Sequence, residues 1–353
     1  MDGTQMDRIA KILNGVTRDQ KGIEIGPWFN PVAPKQDGFN CLSLDVYDTE
    51  TLLSKASEDK SVSGQQLSQI ESVDLVGSSV EIESIVSDRG LLGEIDYIIS
   101  SHNLEHVPDP IKFLQGCSHV LRRGGVLSMA IPDKRGCFDH FRPHSSLGDW
   151  LEAYFDERRK PTLKQVFEAH QLGALYNGSG AFGLAVNSSE IEPTNNIQYG
   201  FDFWTAQIST GDRQYNDAHC WTLTPSLFEL FVLDLSVLGL LKFKIESVES
   251  AGFEFYARLT AMGDDWLPEY SKDEYFHIRT NLIRKVQGEQ ASNSRAPGDE
   301  SPDVIAIKLE NAALRARLSD IEESTSWKIT SPMRKVVTSL RAVFVREPKV
   351  RTG

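Results

Sequence analysis

The chain has 353 residues, of which 40% are hydrophobic and 25% charged. This composition is typical of a globular protein and excludes a collagen, a wholly disordered chain and a disulfide-stapled miniprotein. Fifty acidic residues against 37 basic ones give a net charge of −13, which argues against sequence-independent binding to nucleic acid because such binding needs a basic surface. The length predicts about two domains, or one elaborated domain with appendages.

The cysteine pattern and the hydropathy of the chain indicate its compartment. Four scattered cysteines form no C-x-x-C pair, which suits a reducing cytoplasm and disfavours a structural zinc site, so no metal is expected. The N-terminus lacks the apolar core of a secretory signal. The most apolar stretch, 227–241, contains Glu229 and Asp234 and is too short to span a bilayer. We therefore expect a cytoplasmic protein.

The first part of the chain alternates apolar runs with helical patterns. Residues 1–20 predict an N-terminal helix. Short runs that are mostly apolar and not strictly alternating, as in parallel strands buried on both faces, occupy 22–25, 41–44, 73–76, 97–100 and 126–131. A helical spacing at 110–121 stops at Gly124 and Gly125. Strands alternating with helices predict an α/β fold with a doubly wound, mostly parallel sheet.

The alternation of strand and helix patterns stops from about 134 to 222. We interpret this region as an insertion that carries the substrate site, with one clear helix at 146–159. A helix at about 224–238 with Pro225 near its start follows. Two β-rich runs at 243–249 and 253–262, joined through Gly252, predict an antiparallel hairpin that ends the sheet. The main domain is predicted to span 21–285.

The C-terminal part predicts a separate tail. Residues 286–303 are rich in polar residues and read as a linker. Residues 304–326 repeat apolar positions every seven residues, which indicates a short coiled coil or an amphipathic helix docked on the main domain. Residues 327–353 predict a basic amphipathic helix, which suits either an anionic membrane surface or a groove in a partner protein.

Ligands of a doubly wound sheet bind beyond the carboxyl ends of its strands. Gly26 ends the first run in GIEIGPWFNP and allows a sharp turn, with Glu24 just before it. Asp45 ends the second run 19 residues later, a spacing that suits the two hydroxyls of a ribose, although Asp45 is equally suited to cap a helix. A dinucleotide fingerprint is missing, because no glycine follows Gly26 until Gly38.

The segments SSHNLEHVPDP and VLRRGG, which flank the helix at 110–121, carry a family resemblance. Over about residues 21–135 the chain resembles the class I S-adenosylmethionine-dependent methyltransferases, in particular a bacterial group with an E-H-V segment after the fourth strand. The resemblance implies a Rossmann-like fold and S-adenosylmethionine as cofactor. The family usually shows E-x-G-x-G-x-G where this chain has E-I-G-P-W-F-N-P.

The resemblance also implies roles for individual residues. The first motif, beside the methionine end of the cofactor, would be Glu24 and Gly26, and the ribose would be held by Asp45. The remaining cofactor contacts would be Gly77 and Ser78 beside the adenine, and Ser101, His102 and Asn103 under the sulfonium.

Methyl transfer to a hydroxyl requires an aligned acceptor and removal of its proton. The candidates for the catalytic base are side chains that follow the fourth and fifth strands or lie in the insertion: His102, His106, Asp133, His140, His144 and His219. Lys134, Arg135 and Arg142 are predicted to bind a phosphate or carboxylate on the substrate. Trp150, Trp204 and Trp221 suit either a sugar ring or core packing.

The tail segment STSWKITSPMR is similar to a "T-S-W-x-I-T-x-P-x-R" segment of bacterial cell-surface glycosyltransferases and their associated methyltransferases. The function predicted from the sequence is therefore methylation of a sugar or another acceptor in bacterial surface-polysaccharide biosynthesis. The expected partners are a small-molecule or glycan acceptor, and a glycosyltransferase or a second copy bound through the tail, with no nucleic acid. A peripheral contact with the inner membrane face is a further expectation.

Two alternatives remain open from the sequence. One is a catalytically inactive relative that recruits glycosyltransferases, because Pro27 and Trp28, directly after Gly26, leave fewer backbone N–H groups and less room for the cofactor. The other is a dinucleotide or nucleotide-sugar enzyme on the same kind of sheet, which the missing glycines disfavour.

Overall fold

A computed structural model describes residues 3–60, 62–194, 197–210 and 215–292. The chain separates into two units, Met1–Arg295 and Ala296–Gly353, and the description concerns the first. The predicted coiled coil at 304–326 and basic helix at 327–353 lie outside the described residues. Within the part described, no helix is both long enough and apolar enough to cross a membrane.

The described residues form helices on both sides of one large sheet. The strands are β1 (Gly22–Ile25), β2 (Cys41–Asp45), β3 (Leu75–Val76), β4 (Ile95–Ser101), β5 (Leu121–Pro132), β6 (Ala174–Leu175), β7 (Glu192–Pro193), β8 (Phe243–Ser250) and β9 (Glu254–Ala261). The helices are α1 (Gly3–Ile12), α2 (Thr49–Glu58), α3 (Gly64–Leu67), α4 (Ile82–Ser87), α5 (Pro110–Val120), α6 (Leu147–Phe155), α7 (Leu163–Gln171), α8 (Ile197–Thr210), α9 (Pro225–Val237) and α10 (Lys272–Ser292).

The large sheet confirms the predicted fold class. Among the described residues it has seven strands in the order β3-β2-β1-β4-β5-β9-β8. The first five strands in this order, from β3 at the edge through β2, β1 and β4 to β5, are parallel. The strand β9 runs antiparallel to both β5 and β8. The fold is therefore a doubly wound, mostly parallel sheet that ends in an antiparallel hairpin.

The central strands of the sheet are buried on both faces, which explains why they are mostly apolar and not alternating. In β4, the side chain of Ile98 packs in the core on one face, and those of Tyr97 and Ile99 pack in the core on the other face. Trp150 and Phe228 belong to the first core, which the helices α4, α5, α6 and α9 help to form. Ile12 of α1 packs in the second.

The insertion is more helical than its sequence predicts. The predicted helix at 146–159 is α6, which begins at Leu147 with Ser146 as its N-cap. The insertion also contains α7 and α8. The rings of Phe167 in α7 and Trp204 in α8 make an edge-to-face contact, with 5.8 Å between their centroids. These two helices bury few side chains, among them Gln165 and Val166.

The predicted linker at 286–303 begins too early, because α10 continues to Ser292. Val286 is buried in the main core. The carboxylate of Glu289 accepts hydrogen bonds from the backbone N–H and the hydroxyl of Ser226, at 3.3 and 2.8 Å. Residues up to at least Glu289 therefore belong to the main domain.

Candidate functional site

The carboxyl ends of the parallel strands meet at one edge of the sheet. Pairing of Ile25 with Leu44 and with Ser100 aligns the ends of β1, β2 and β4. Asp45 pairs with Val76 at the end of β3, and the N–H of Gly77 donates to the carbonyl of Asp45 at 2.9 Å. This edge therefore brings together the residues after which the chain turns away from the sheet.

The first turn is open at its glycine and is held in place by a buried carboxylate. Gly26 has φ +59°, and among the described residues no atom outside Gly26 and its two chain neighbours lies within 4 Å of the position that a Cβ would occupy. Both oxygens of Glu24 accept backbone N–H groups from the same loop, from Val32 at 2.7 Å and from Ala33 at 2.9 Å. Burial raises the pKa of Glu24 to about 7, against the opposing effect of these two hydrogen bonds.

The second strand ends in a carboxylate that is not a helix cap. Asp45 accepts the N–H of Tyr47 at 3.1 Å, whereas Asp48 caps α2 by accepting the N–H of Thr51 at 2.8 Å. Asp45 is nine-tenths buried at the sheet edge, and burial raises its pKa although backbone N–H groups oppose the shift. The position beside Gly26 suits recognition of paired hydroxyls.

A hydroxyl and amide network connects the ends of β3 and β4. The Ser79 hydroxyl donates to Oδ1 of Asn103 at 3.1 Å, and Nδ2 of Asn103 donates to the Ser100 hydroxyl at 3.2 Å. Gly77 has φ +150°, and the Ser78 hydroxyl accepts the N–H of Val80 at the start of a short helical turn. The predicted residues Gly77 and Ser78 follow β3, and Ser101 and Asn103 lie at the end of β4. The strands β2 and β1 separate β3 from β4, and the hydrogen bond of Ser79 with Asn103 joins the two ends.

His102 lies in a charged network that includes the N-terminal helix. Its Nε2 lies 2.8 Å from Glu254, which also accepts from Arg8 Nε at 2.8 Å and from the Tyr256 hydroxyl at 2.8 Å. Arg8 donates in addition to the Ser101 hydroxyl at 2.7 Å. These contacts place α1 against the ends of β4 and β9.

The same network sets the charge of its members. Burial opposes the charged imidazole of His102, but the carboxylates of Glu105 and Glu254 outweigh it and raise the pKa of His102 to about 9. Burial likewise opposes ionisation of Glu254, but hydrogen bonds from His102 and Arg8 lower its pKa to about 2. His102 is therefore a cation at neutral pH and has no lone pair with which to accept a proton.

The predicted anion-binding residues make contacts within the protein. Arg135 forms an ion pair with Asp133, whose side chain is fully buried. Lys134 donates to the carbonyl of His140 at 2.9 Å, and Arg142 donates to Asp139 at 2.6 Å. The structure thus gives each of these three cations an internal partner, and their role toward a substrate stays a prediction.

His144 lies apart from the other histidines. Its Nδ1 is 2.6 Å from the side-chain amide of Gln290, and it lines a cavity of about 190 Å³ together with Arg142 and Trp221. Burial, and then the charges of Lys134 and Arg135, lower the pKa of His144 to about 4. The imidazole is therefore neutral at physiological pH.

Glu105, His106 and His219 form a cluster in which one atom from each lies within 4.8 Å of the others. Glu105 Oε1 is 4.0 Å from Nε2 of His106 and 3.9 Å from Nε2 of His219. The N–H of Cys220 donates to the main-chain carbonyl of Glu105 at 2.6 Å, which joins the end of the insertion to the turn after β4. We call these three residues the Glu105 cluster.

The sequence analysis missed several residues of the site. Arg8 and Glu254 have no local motif, and they meet only because α1 and β9 are brought together across the sheet. Glu105 lies within the E-H-V segment and could be identified only as part of that family pattern. In the sequence, Asp139 and Asp217 cannot be distinguished from ordinary charged loop residues. The tryptophans Trp150 and Trp221 proved to be core residues in mutual edge-to-face contact at 6.0 Å.

Part of the chain is similar to a known protein family. Residues 48–129 match the methyltransferase domain family. A search of curated proteins found no match. The match indicates a methyltransferase domain in this part of the chain.

Solved structures with similarity to the chain are distant. An S-adenosylmethionine-dependent methyltransferase from Methanosarcina mazei is 13% identical, with 71% of this chain and 96% of that chain covered and a TM-score of 0.35. One from Listeria monocytogenes is 11% identical, with 74% and 99% covered and a TM-score of 0.37. A zinc-dependent alcohol dehydrogenase from Rhodobacter sphaeroides is 10% identical, with 73% and 90% covered and a TM-score of 0.41. Similarity at this level gives no information on the reaction.

Proposed function

We propose that the chain transfers a methyl group from S-adenosylmethionine to a sugar or a related acceptor in bacterial surface-polysaccharide biosynthesis. The observation that carries the transferase assignment is the alignment of Gly26, Asp45 and Ser101 at one sheet edge. The tail resemblance supports the polysaccharide pathway. It lies outside the described residues.

The strand-end residues fit S-adenosylmethionine. The open space at Gly26 admits close approach of a ligand to the backbone. Asp45 offers a carboxylate to the ribose hydroxyls, while Glu24 holds the loop that follows β1. When bound, the cofactor supplies an activated methyl group, and the protein has to align the acceptor and exclude water.

We assign selection of the acceptor to the insertion at 134–222, where His144 lines a cavity. Replacing His144 by Ala should lower turnover and leave the affinity for S-adenosylhomocysteine nearly unchanged. A protein that loses cofactor binding together with stability would instead show that His144 is structural.

The experiment for this proposal is transfer of a labelled methyl group by the full chain to a panel of nucleotide sugars and lipid-linked glycans. We expect a labelled glycan product that accumulates with time. Binding of S-adenosylhomocysteine without transfer to any member of the panel would contradict the proposed acceptor class.

A catalytically inactive relative that recruits glycosyltransferases is the second candidate function. The observation that favours it is the turn after Gly26, where Pro27 removes a backbone N–H and Trp28 adopts φ +47°. For this candidate we expect no binding of S-adenosylhomocysteine and co-purification of a glycosyltransferase through the tail.

A further inference from the structure

The two imidazoles and the carboxylate of the Glu105 cluster are a set of donors that transition metals prefer. Two histidines and one carboxylate form the protein ligands of many catalytic zinc and non-haem iron sites, where the remaining positions bind water or substrate. Calcium and magnesium prefer oxygen donors. The composition of the cluster therefore indicates a divalent transition metal.

The carboxylate of Glu105 is buried without a hydrogen bond. Its side chain is 1% exposed, and neither of its oxygens has a hydrogen-bond partner among the described residues. The nearest charged group is His102, whose Nδ1 lies 3.5 Å away. The His102 cation offsets part of this charge, but both carboxylate oxygens lack a hydrogen bond. Because buried acceptors left without a partner are costly, the Glu105 carboxylate has free acceptor positions for a ligand.

The outer nitrogen of each cluster histidine faces a carboxylate. Nδ1 of His106 lies 3.0 Å from Asp217, and Nδ1 of His219 lies 2.5 Å from Asp139. Asp139 is itself fixed by Arg142 at 2.6 Å. A carboxylate on one imidazole nitrogen fixes the tautomer that presents the lone pair of the other nitrogen, as is usual for metal-bound histidines.

The spacing of the donors is close to that of a metal centre. Two ligands of a tetrahedral zinc ion lie roughly 3.4 Å apart, given bond lengths of about 2.0–2.2 Å. Separations of 3.9 and 4.0 Å between Glu105 and the two histidines would have to shorten by about half an ångström. All three donor atoms lie within 4.8 Å of one another, so the separation between the two histidines would have to shorten by at most about 1.4 Å.

We propose that Glu105, His106 and His219 bind a divalent transition metal ion such as Zn²⁺, with Asp217 and Asp139 as the outer partners of the two histidines. Three protein ligands leave an open coordination position. The site lies directly after residues 101–103, which are predicted to line the floor beneath the sulfonium.

On the proposed methyltransferase function, the open position would hold the oxygen of a hydroxyl acceptor. A metal lowers the pKa of a bound hydroxyl, so its proton passes to water. The acceptor oxygen then forms a bond to the methyl carbon as the carbon–sulfur bond breaks, and that electron pair stays on sulfur in S-adenosylhomocysteine. The metal site thus favours a hydroxyl as acceptor over an amine or a carbon atom.

The test is calorimetric titration of Zn²⁺ into the full chain after treatment with a chelator. We expect saturable binding of one ion per chain and loss of this binding in Glu105→Gln, which preserves the shape of the side chain. Asp217→Asn should weaken binding by about 10–100-fold, because it removes an outer partner. Circular dichroism verifies the fold of each variant, and His106→Gln replaces Glu105→Gln if that protein does not fold.

A matched control is His119→Ala. His119 also lies near two carboxylates, 3.0 Å from Glu83 and 3.7 Å from Asp264, but it is outside the cluster. Zinc affinity should be the same in this variant as in the unmodified chain. Absence of saturable binding in the unmodified chain, or binding that Glu105→Gln leaves intact, would overturn the proposal.

The titration contains neither S-adenosylmethionine nor acceptor, so its outcome is independent of the proposed transferase function. Zinc binding without any methyl transfer would contradict the transferase proposal and leave the metal site standing. Methyl transfer by a chain that binds no zinc would contradict the metal site and leave the transferase proposal standing.

Discussion

Protonation of the Glu24 carboxyl group, which holds the loop after β1, makes the stability of the protein depend on pH. Its pKa is about 7 in the folded protein, because of burial, and 4.5 is the ordinary value. The folded state therefore holds this proton in a range where the unfolded chain has released it. Stability is lost as pH rises from 4.5 through 7.

We expect the free energy of unfolding of the wild-type chain to fall between pH 5 and pH 8 by roughly 1–3 kcal/mol more than that of Glu24→Gln, since one pKa unit corresponds to about 1.4 kcal/mol. Denaturant unfolding at both pH values measures this difference. Glu58→Gln, at an exposed glutamate of α2, controls for loss of one charge. Equal pH dependence in the wild-type and Glu24→Gln proteins would show that Glu24 does not titrate in this range.

At the scale of elements, α1 is attached to the sheet through Arg8 and Glu254. The ion pair has an N–O distance of 2.8 Å, and the Glu254 side chain is only 2% exposed. Arg8→Met removes charge-assisted hydrogen bonds to this carboxylate, which keeps His102 and Tyr256 as partners. The substitution should therefore lower the free energy of unfolding by roughly 1.5–3 kcal/mol. Thermal or denaturant unfolding provides the measurement.

The same helix provides the control for this prediction. Lys11 pairs with Glu249 at 3.8 Å, and both side chains are well exposed. Lys11→Met should therefore change stability by less than about 1 kcal/mol. A similar loss in both variants would mean that Arg8 acts as an ordinary surface charge.

The sequence predicted the elements of the sheet well, because β1, β2 and β4 are buried on both faces and are mostly apolar. The bounds of β3 were harder to predict, since only Leu75 and Val76 pair with a neighbour. The helices α7 and α8 were missed because few of their side chains are buried. The Glu105 cluster could not be predicted, because His219 reaches Glu105 only through the fold of the whole insertion.

At the scale of the whole molecule, the end of α10 marks where the chain can be shortened. A chain that ends at Ser292 should retain the stability and the S-adenosylhomocysteine affinity of the full chain, because it keeps the hydrogen bonds of Glu289 with Ser226. A chain that ends at Val286 loses these bonds and should be less stable by roughly 1–3 kcal/mol. Equal stability of the two shortened chains would contradict this boundary.

The tail is predicted to determine where the protein is located or how it assembles. Between residues 328 and 353 it has seven basic residues and one acidic residue, in a chain of net charge −13. We expect the full chain, and not the chain that ends at Ser292, to sediment with anionic vesicles at low salt, because each basic residue near such a surface contributes about 1 kcal/mol. Sedimentation that is equal for both chains, at low and high salt, would contradict a membrane role for the tail.

The most direct test of the proposed function is calorimetry of S-adenosylhomocysteine with the wild-type chain, Asp45→Ala and Asp48→Asn, with NAD as the comparison ligand. We expect the wild-type chain to bind S-adenosylhomocysteine and not NAD. Asp45→Ala should lose about 1.5–3 kcal/mol of binding free energy, because the ribose hydroxyls lose their hydrogen bonds to a carboxylate. Asp48→Asn, at the cap of α2, should bind S-adenosylhomocysteine normally. Unchanged affinity in Asp45→Ala, or binding of NAD instead, would contradict it.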